Sequence, residues 1–219
     1  MDEGDRAVRN LTYHLFVDLG RAPTVADVAA AAGSTTAEVG ASWHRLHDAH
    51  ALVLQPDTTE LRMANPFSAV ATPYRVHADD RWWFANCAWD AFGICAALRV
   101  DGRIETTCAE CADSIVCEVV DQRPDDGELL FHCLVPAARW WDDIVFTRST
   151  MNLFRSEEHL MRWVDGRAPG VTLPVGTLSR LAHLWWGDRL DPDWRPRTRD
   201  QNQALLESLG LMGDFWRLA

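Results

Sequence analysis

Three helical patterns followed by two short strand patterns open the chain, and this order restricts the fold more than any other feature of the sequence. Apolar residues recur at helical spacing in each of the first three segments. The predicted helices cover residues 7–19, 25–32 and 35–50, and the predicted strands cover residues 51–54 and 58–63. Thr24 and Thr35 can cap the second and third helices, and Gly33 can end the second.

This order of elements is typical of winged-helix domains, so we predict a winged-helix-like N-terminal domain over residues 1–65. Most such domains bind DNA through the third helix. Here residues 1–60 contain nine acidic residues against four Arg, and the whole chain has a net charge of -11. Affinity for nucleic acid or for anionic lipid is therefore disfavoured, and a structural or dimerising use of the domain is favoured.

The remainder, residues 66–219, predicts an antiparallel-sheet core domain with flanking helices and a C-terminal helical tail, which gives an α+β fold overall. Asp79-Asp80 are expected to cap a helix that carries Cys87 and Asp90. Residues 140–154 are predicted as a strand or irregular segment, and Ser156 as the cap of the next helix. The predicted strands are 73–76, 103–108, 114–120, 129–135 and 171–175, with a turn at 124–127 and helices at 156–163, 178–186 and 199–209.

No apolar run is long enough to span a bilayer, and the first six residues are acidic where a signal peptide would be basic and then apolar. We therefore expect a soluble, cytoplasmic protein. All six cysteines lie between Cys87 and Cys133. In a reducing compartment such a cluster indicates free thiols or metal ligands rather than disulfides.

Among the motifs of the sequence, Cys87 and Asp90 are the pair of side chains best suited to catalysis or metal binding. On a helix this spacing places a thiol and a carboxylate on one face, one turn apart. In a dry aromatic pocket the thiolate can bind a soft metal or attack an electrophile, and a carboxylic acid whose pKa is raised by burial can deliver a proton. The alternative is a buried cysteine that packs as a small hydrophobic residue beside an aspartate that caps the helix.

Other cysteines, histidines and tryptophans give weaker signals. Cys108 and Cys111 form a single CxxC pair, which is half of a zinc site at best, and we favour one buried cysteine and one in a turn. Cys117 and Cys133 are expected in the core. Histidines, among them His132 and His159, have no ligand spacing that indicates a metal site. Most of the 11 Trp are expected in the core, and some can line an apolar ligand pocket.

Taken together, these features resemble the organomercurial (alkylmercury) lyase family over residues 6–186. The resemblance rests on the acidic N-terminal domain, the Cys87-Ala88-Trp89-Asp90 motif, the strand that ends at Cys108, and the segment Phe154–His159. It implies cleavage of carbon–mercury bonds by protonolysis. It also implies that no cofactor is required, that Hg(II) is a substrate or product ion, and that the partners are a small molecule and external thiols, in a monomer or homodimer.

By the same resemblance, Cys87 is the first mercury-binding cysteine, Asp90 is the proton donor and a further mercury ligand, and Cys108 is buried and structural. Thiolate suits soft mercury, and a nearby protonated acid can then protonate the carbon. The family's second catalytic cysteine has no counterpart here. Its position falls on Arg148, or on Thr147 without a gap, and an arginine there can lower the pKa of Cys87 or hold an anionic group.

Three interpretations follow. The first is an alkylmercury lyase-like enzyme that uses Cys87 with a substitute ligand such as Asp90, Cys95 or an external thiol. The second is a lyase-fold enzyme diverted to another small molecule, with Cys87 as nucleophile or metal ligand and Arg148 as anion clamp. The third is a non-enzymatic winged-helix regulator whose second domain binds a metal or another effector.

Overall fold

The computed structural model describes residues 1–125 and 127–219, so Asp126 of the predicted turn at 124–127 lies outside the described residues. Within the described residues the chain forms α-helices and antiparallel strands, which confirms the predicted α+β class. The helices are α1 (Glu3–Leu19), α2 (Val25–Ala32), α3 (Thr36–Asp48), α4 (Ala88–Leu98), α5 (Ile144–Ser149), α6 (Glu157–Val164), α7 (Val175–Trp186) and α8 (Arg199–Ser208).

The strands form two sheets, of eight and three strands. In chain order they are β1 (Val53–Leu54), β2 (Leu61–Ala64), β3 (Phe67–Ser68), β4 (Tyr74–Ala78), β5 (Arg81–Ala85), β6 (Gly102–Thr107), β7 (Ser114–Val120), β8 (Arg123–Pro124), β9 (Leu130–Cys133), β10 (Asn152–Phe154) and β11 (Val171–Pro174). The larger sheet has the order β1-β2-β3-β5-β4-β6-β7-β8, and the smaller has the order β10-β9-β11.

Helices α2 and α3 begin and end within two residues of their predicted ranges, and α1 ends at the predicted residue but begins four residues earlier than predicted. Thr24 and Thr35 each form a capping box, with Asp27 and Glu38 respectively, and Gly33 ends α2 in the left-handed conformation. The buried side chain of Trp43 donates a hydrogen bond from Nε1 to Thr12 Oγ1 over 3.0 Å, which joins α3 to α1. The local capping signals therefore coincide with the tertiary packing.

The hairpin β1–β2 is continuous with the central sheet. Strand β2 pairs with β3 through Met63 and Ser68, and β3 pairs with β5 through Phe67 and Ala85. The hairpin that follows the three helices is thus part of the eight-stranded sheet. The division into domains 1–65 and 66–219 stays a prediction.

Asp79 and Asp80 do not cap the helix that carries Asp90, contrary to our expectation. Both residues have positive φ values, of 48° and 60°, and form the two-residue turn between β4 and β5. Asp tolerates this left-handed conformation, which matches the twist of a tight hairpin. Trp82 and Trp83 therefore lie on strand β5, one exposed and one buried, and α4 begins only at Ala88.

The segment 140–154 also differs from its expected extended conformation. The Asp143 side chain accepts a hydrogen bond from the Phe146 amide over 2.9 Å and starts α5, a short helix that carries Arg148. Strand β10 follows and pairs with β9. This helix brings Arg148 towards the N-terminal end of α4.

Helix α4 is the most buried helix, since ten of its 11 residues are buried between the large sheet and α7. Even so, no helix in residues 1–125 and 127–219 is both long enough and apolar enough to cross a bilayer.

The contact of α4 with α7 depends on Gly93. A methyl group built at Gly93 would lie 2.8 Å from Trp186 Nε1 and 3.0 Å from Pro66 Cβ.

We expect Gly93→Ala to lower the free energy of unfolding by about 1–3 kcal/mol, because the added methyl group overpacks the α4–α7 contact. Denaturant unfolding of both proteins measures the difference. Gly40→Ala is the matched control: Gly40 also lies in a helix, but its nearest neighbour there, Thr59 Cγ2, is 3.5 Å away. A loss no larger at Gly93 than at Gly40 would contradict the close packing of α7 on α4.

Candidate active site

Cys87 is the N-cap residue of α4 rather than a residue within the helix. Its backbone is extended, with φ of -163° and ψ of -178°, and its Sγ accepts a hydrogen bond from the Asp90 amide over 3.4 Å. The Ala88 amide donates to the Met151 carbonyl oxygen over 3.0 Å. The thiol is thus fixed at the junction between β5 and α4, and it faces the segment between α5 and β10.

Asp90 lies in the first turn of α4 and is fully buried. Its Oδ2 accepts a hydrogen bond from Asn86 Nδ2 over 3.2 Å and lies 3.6 Å from Arg148 Nε. Burial raises the pKa of the Asp90 carboxyl group, while Arg148, Asn86 and the Cys87 thiol stabilise the ionised form and lower it in part. The net direction is upward, so the carboxyl group holds a proton more readily than an exposed aspartate.

The Arg148 side chain lies between the Cys87 and Asp90 side chains on one side and two tryptophan rings on the other. Its Nη1 lies 3.9 Å from Cys87 Sγ and 3.5 Å from Met151 Sδ, and the side chain is 6% exposed. The guanidinium carbon lies 5.0 Å from the centre of the Trp89 ring and 5.8 Å from that of Trp186. Burial lowers the pKa of Arg148, but Asp90 and Cys87 more than offset this effect, so the arginine keeps its charge.

Burial also raises the pKa of the Cys87 thiol, and the neighbouring Asp90 carboxylate raises it further. Arg148 and the Asp90 amide act in the opposite direction but do not offset these effects. The resting site therefore holds a neutral thiol beside a carboxyl group that can accept its proton. Coordination of a soft metal by the sulfur would displace this proton, because a coordinating thiol is deprotonated.

A cavity of about 280 Å³ lies on the other side of Arg148. Tryptophans form much of its wall, and three arginines add positive charge; the lining residues include Trp89, Trp185, Trp186, Arg148, Arg189 and Arg197. Cys87 and Asp90 do not reach this cavity, and the Cys87 side chain is 0% exposed. A ligand in the cavity therefore reaches the sulfur only if Arg148 or Trp89 moves.

The structure brings together Cys87, Asp90 and Arg148, the three residues assigned to the site from the sequence. Of the two positions that could match the missing cysteine, Arg148 is the one whose side chain contacts Cys87. Cys95 lies eight residues further along α4, about 12 Å at 1.5 Å per residue, so it cannot share a ligand with Cys87. Cys108 is buried elsewhere, next to His159.

Sequence reasoning missed Asn86 and Met151. Asn86 precedes Cys87 and lies four residues before Asp90, so it could have been found as a neighbour on the same turn. Met151 Sδ lies 3.9 Å from Cys87 Sγ, and no local pattern relates two residues 64 positions apart. A thiol, a thioether, a carboxyl group and a guanidinium thus meet in one buried site, and two of these are ligands for a soft metal.

The comparisons with known proteins agree with this fold. The family model described as alkylmercury lyase matches residues 67–187, more than half of the chain. The chain therefore belongs to the alkylmercury lyase family. Lyases of this family need no cofactor, and Hg(II) is a product ion of their reaction.

Among solved structures, the mercury-bound form of MerB2 is similar to this chain, with a TM-score of 0.65 and 20% sequence identity. The match covers 87% of this chain and 91% of the other. At this identity the likeness concerns the fold alone. A search of curated proteins found no significant match.

Proposed function

We propose that this protein cleaves the carbon–mercury bond of an organomercurial by protonolysis, with Cys87 as the mercury-binding thiol and Asp90 as the proton carrier. The observation that carries the proposal is the buried Cys87–Asp90 pair at the start of α4, where the sulfur accepts a hydrogen bond from the Asp90 amide over 3.4 Å. Membership of a family of lyases supports the same reaction class.

In the first step the organomercurial arrives as the adduct of an external thiol. Cys87 Sγ bonds to mercury, the Cys87 proton passes to the Asp90 carboxylate, and the external thiolate leaves with its electron pair. The raised pKa of Cys87 means that this proton is present at the start, and the raised pKa of Asp90 favours its capture. Neither transfer requires an oxidant or a reductant.

In the second step Asp90 returns the proton to carbon. The carbon–mercury bonding electrons form the new carbon–hydrogen bond, so a hydrocarbon leaves while Hg(II) stays on Cys87 Sγ. Electron donation from sulfur to mercury makes the carbon easier to protonate, and the dry site keeps water from competing for the proton. Asp90 is again a carboxylate, and two external thiols then remove Hg(II) as its dithiolate, while one of their protons restores the Cys87 thiol and the other is released.

Two further groups complete the mercury coordination. Met151 Sδ, 3.9 Å from Cys87 Sγ, offers a soft thioether, and once the hydrocarbon has left, an external thiolate takes the second position on Hg(II) that the chain does not fill at position 148. Arg148 stabilises the carboxylate form of Asp90 in the resting site. Its displacement by the entering organomercurial would remove the cation from Asp90 and raise the pKa of the carboxyl group, which favours capture of the Cys87 proton in the first step.

The cationic cavity favours a second candidate, a lyase-fold enzyme diverted to an anionic small molecule. Arg148, Arg189 and Arg197 all line the 280 Å³ cavity, which would hold a carboxylate or phosphate group near Cys87. In this case Cys87 acts as the nucleophile and Arg148 as the anion clamp. Turnover of a neutral arylmercury compound, which has no anionic group, favours the lyase over this candidate.

The experiment is a measurement of hydrocarbon released from phenylmercury in excess thiol, for the parent protein and for Asp90→Asn. We expect the parent to release benzene and the variant to be slower by about 10²–10⁴-fold, because the amide cannot carry the proton. The variant should bind as many Hg(II) ions per chain as the parent, since Cys87 is unchanged. Circular dichroism of both proteins confirms that the fold is retained.

Asp113→Asn is the matched control, since Asp113 is an exposed carboxylate outside this site. It should release benzene at the rate of the parent. If the parent releases no benzene, or Asp90→Asn retains the parental rate, the proposed mechanism is wrong.

A further inference from the structure

A second group of soft ligands lies outside the active site, where β6 ends and α6 begins. Cys108 follows β6, Cys111 lies three residues later at the surface, and His159 belongs to the first turn of α6. Their Sγ, Sγ and Nδ1 atoms all lie within 4.8 Å of one another. The CxxC pair that the sequence left as a buried cysteine and a turn cysteine therefore meets a histidine brought from 51 residues away.

The spacing of these atoms fits a tetrahedral zinc site. Zinc–sulfur bonds of about 2.3 Å and zinc–nitrogen bonds of about 2.0 Å at tetrahedral angles place the ligand atoms about 3.5–3.8 Å apart. The measured distance from Cys108 Sγ to His159 Nδ1 is 3.5 Å. The other pairs of ligand atoms lie within 4.8 Å of each other.

The backbone around Cys108 is also arranged for a metal-bound thiolate. The Cys108 amide donates to the Asp113 carbonyl oxygen over 2.8 Å, and the Ala112 amide donates to the Cys108 carbonyl oxygen over 2.9 Å, which closes a tight turn around the pair. This turn keeps Cys108 and Cys111 close together, which favours binding of both sulfur atoms to one metal ion.

The surroundings favour a cation. Glu110 and Asp113 flank the cysteine pair, and Glu157 and Glu158 flank the histidine. Two exposed ion pairs already connect the turn after β6 with α6 and the residues just before it: Arg162 lies 3.3 Å from Glu110, and Arg155 lies 3.5 Å from Asp113. Exposed pairs of this kind add little stability, so a metal would be the main tie between the turn and α6.

We propose that Cys108, Cys111 and His159 form a zinc site that fastens α6 to the turn after β6, with a water or an external ligand in the fourth position. A Cys₂His donor set selects zinc and similar soft divalent ions over Mg²⁺ or Ca²⁺. The site takes no part in the reaction at Cys87, and its test does not depend on the proposed function.

The test uses the full-length chain with Cys87→Ser, reduced and freed of metal with a chelator, so that the active-site thiol cannot bind the probe. Titration with Zn²⁺ alone, followed by calorimetry and thermal unfolding, should give one ion per chain and a Tm that rises with Zn²⁺. Adding Cys111→Ser or His159→Gln, which replace side chains that are not buried, should each weaken Zn²⁺ affinity by at least about tenfold and abolish the rise in Tm.

His183→Gln is the matched control, because His183 is also a helical histidine at the surface but lies outside the cluster. It should bind Zn²⁺ with the parental affinity. The proposal is overturned if no saturable binding occurs, or if Cys111→Ser and His159→Gln bind Zn²⁺ as tightly as their parent.

Discussion

Replacement of Cys87 by serine should reduce benzene release from phenylmercury by at least about 100-fold and leave the fold intact. A serine hydroxyl is a hard oxygen donor, which binds mercury poorly, and it holds its proton far more strongly than a thiol does. The substitution is nearly isosteric, and the Ser hydroxyl can accept the hydrogen bond from the Asp90 amide that now goes to Cys87 Sγ. Hydrocarbon release and Hg(II) stoichiometry measure the effect.

Cys95→Ser is the matched control for this result. Cys95 is also fully buried in α4, but it lies two turns beyond Cys87 and outside the site. We expect it to retain activity and Hg(II) binding, although it places a hydroxyl in the core. A Cys87→Ser protein that still releases benzene at the parental rate would remove the basis of the mechanism.

Arg148→Cys should raise the rate of benzene release at least about tenfold, equivalent to about 1.4 kcal/mol of barrier. Arg148 Nη1 lies 3.9 Å from Cys87 Sγ, so residue 148 faces Cys87, and the shorter cysteine side chain would leave space for mercury between the two sulfur atoms. Two thiolates on mercury donate more electron density to the carbon than one thiolate and a thioether do. The same change removes the cation that stabilises the ionised form of Asp90, so the pKa of Asp90 rises and the carboxylate captures the Cys87 proton more readily.

Arg148→Ser separates these two effects, because it removes the cation and opens the site without supplying sulfur. We expect Arg148→Cys to exceed both the parent and Arg148→Ser. Equal rates for the two variants would mean that access or charge, not a second thiolate, limits the reaction. No gain over the parent would mean that position 148 is not equivalent to the missing cysteine.

Most helices could be predicted from local signals, because capping is a short-range interaction. Helix α2 matches its predicted range, and strand β7 matches the predicted 114–120. The errors fall where one residue type serves two purposes. Asp79-Asp80 can cap a helix or occupy a left-handed hairpin turn, and the pairing of β4 with β5 decides for the turn. Asp143 started α5 in a segment whose aromatic and β-branched residues suggested a strand.

The residues of the candidate site also fall into two groups, those that the sequence could predict and those that it could not. Cys87 and Asp90 could be paired from the sequence, because three residues of separation on one helix turn fix their proximity. Arg148 entered only through the resemblance to a lyase family, since 61 residues separate it from Cys87. The sequence analysis missed Met151, which lies beside Cys87, and His159, which lies beside Cys108, for the same reason. Spacing along the chain cannot reveal ligands that come from different secondary-structure elements.

The sequence by itself determined the α+β class, the caps of the N-terminal helices and the pairing of a thiol with an acid at the start of α4. These depend on contacts within a few residues, for which side-chain chemistry and backbone geometry suffice. Only the tertiary structure decided that the thiol is sealed behind Arg148 and Trp89, and that the CxxC pair meets a histidine. Burial, the pKa of a thiol and a ligand set are properties of the neighbours that packing supplies, and those neighbours come from distant parts of the chain.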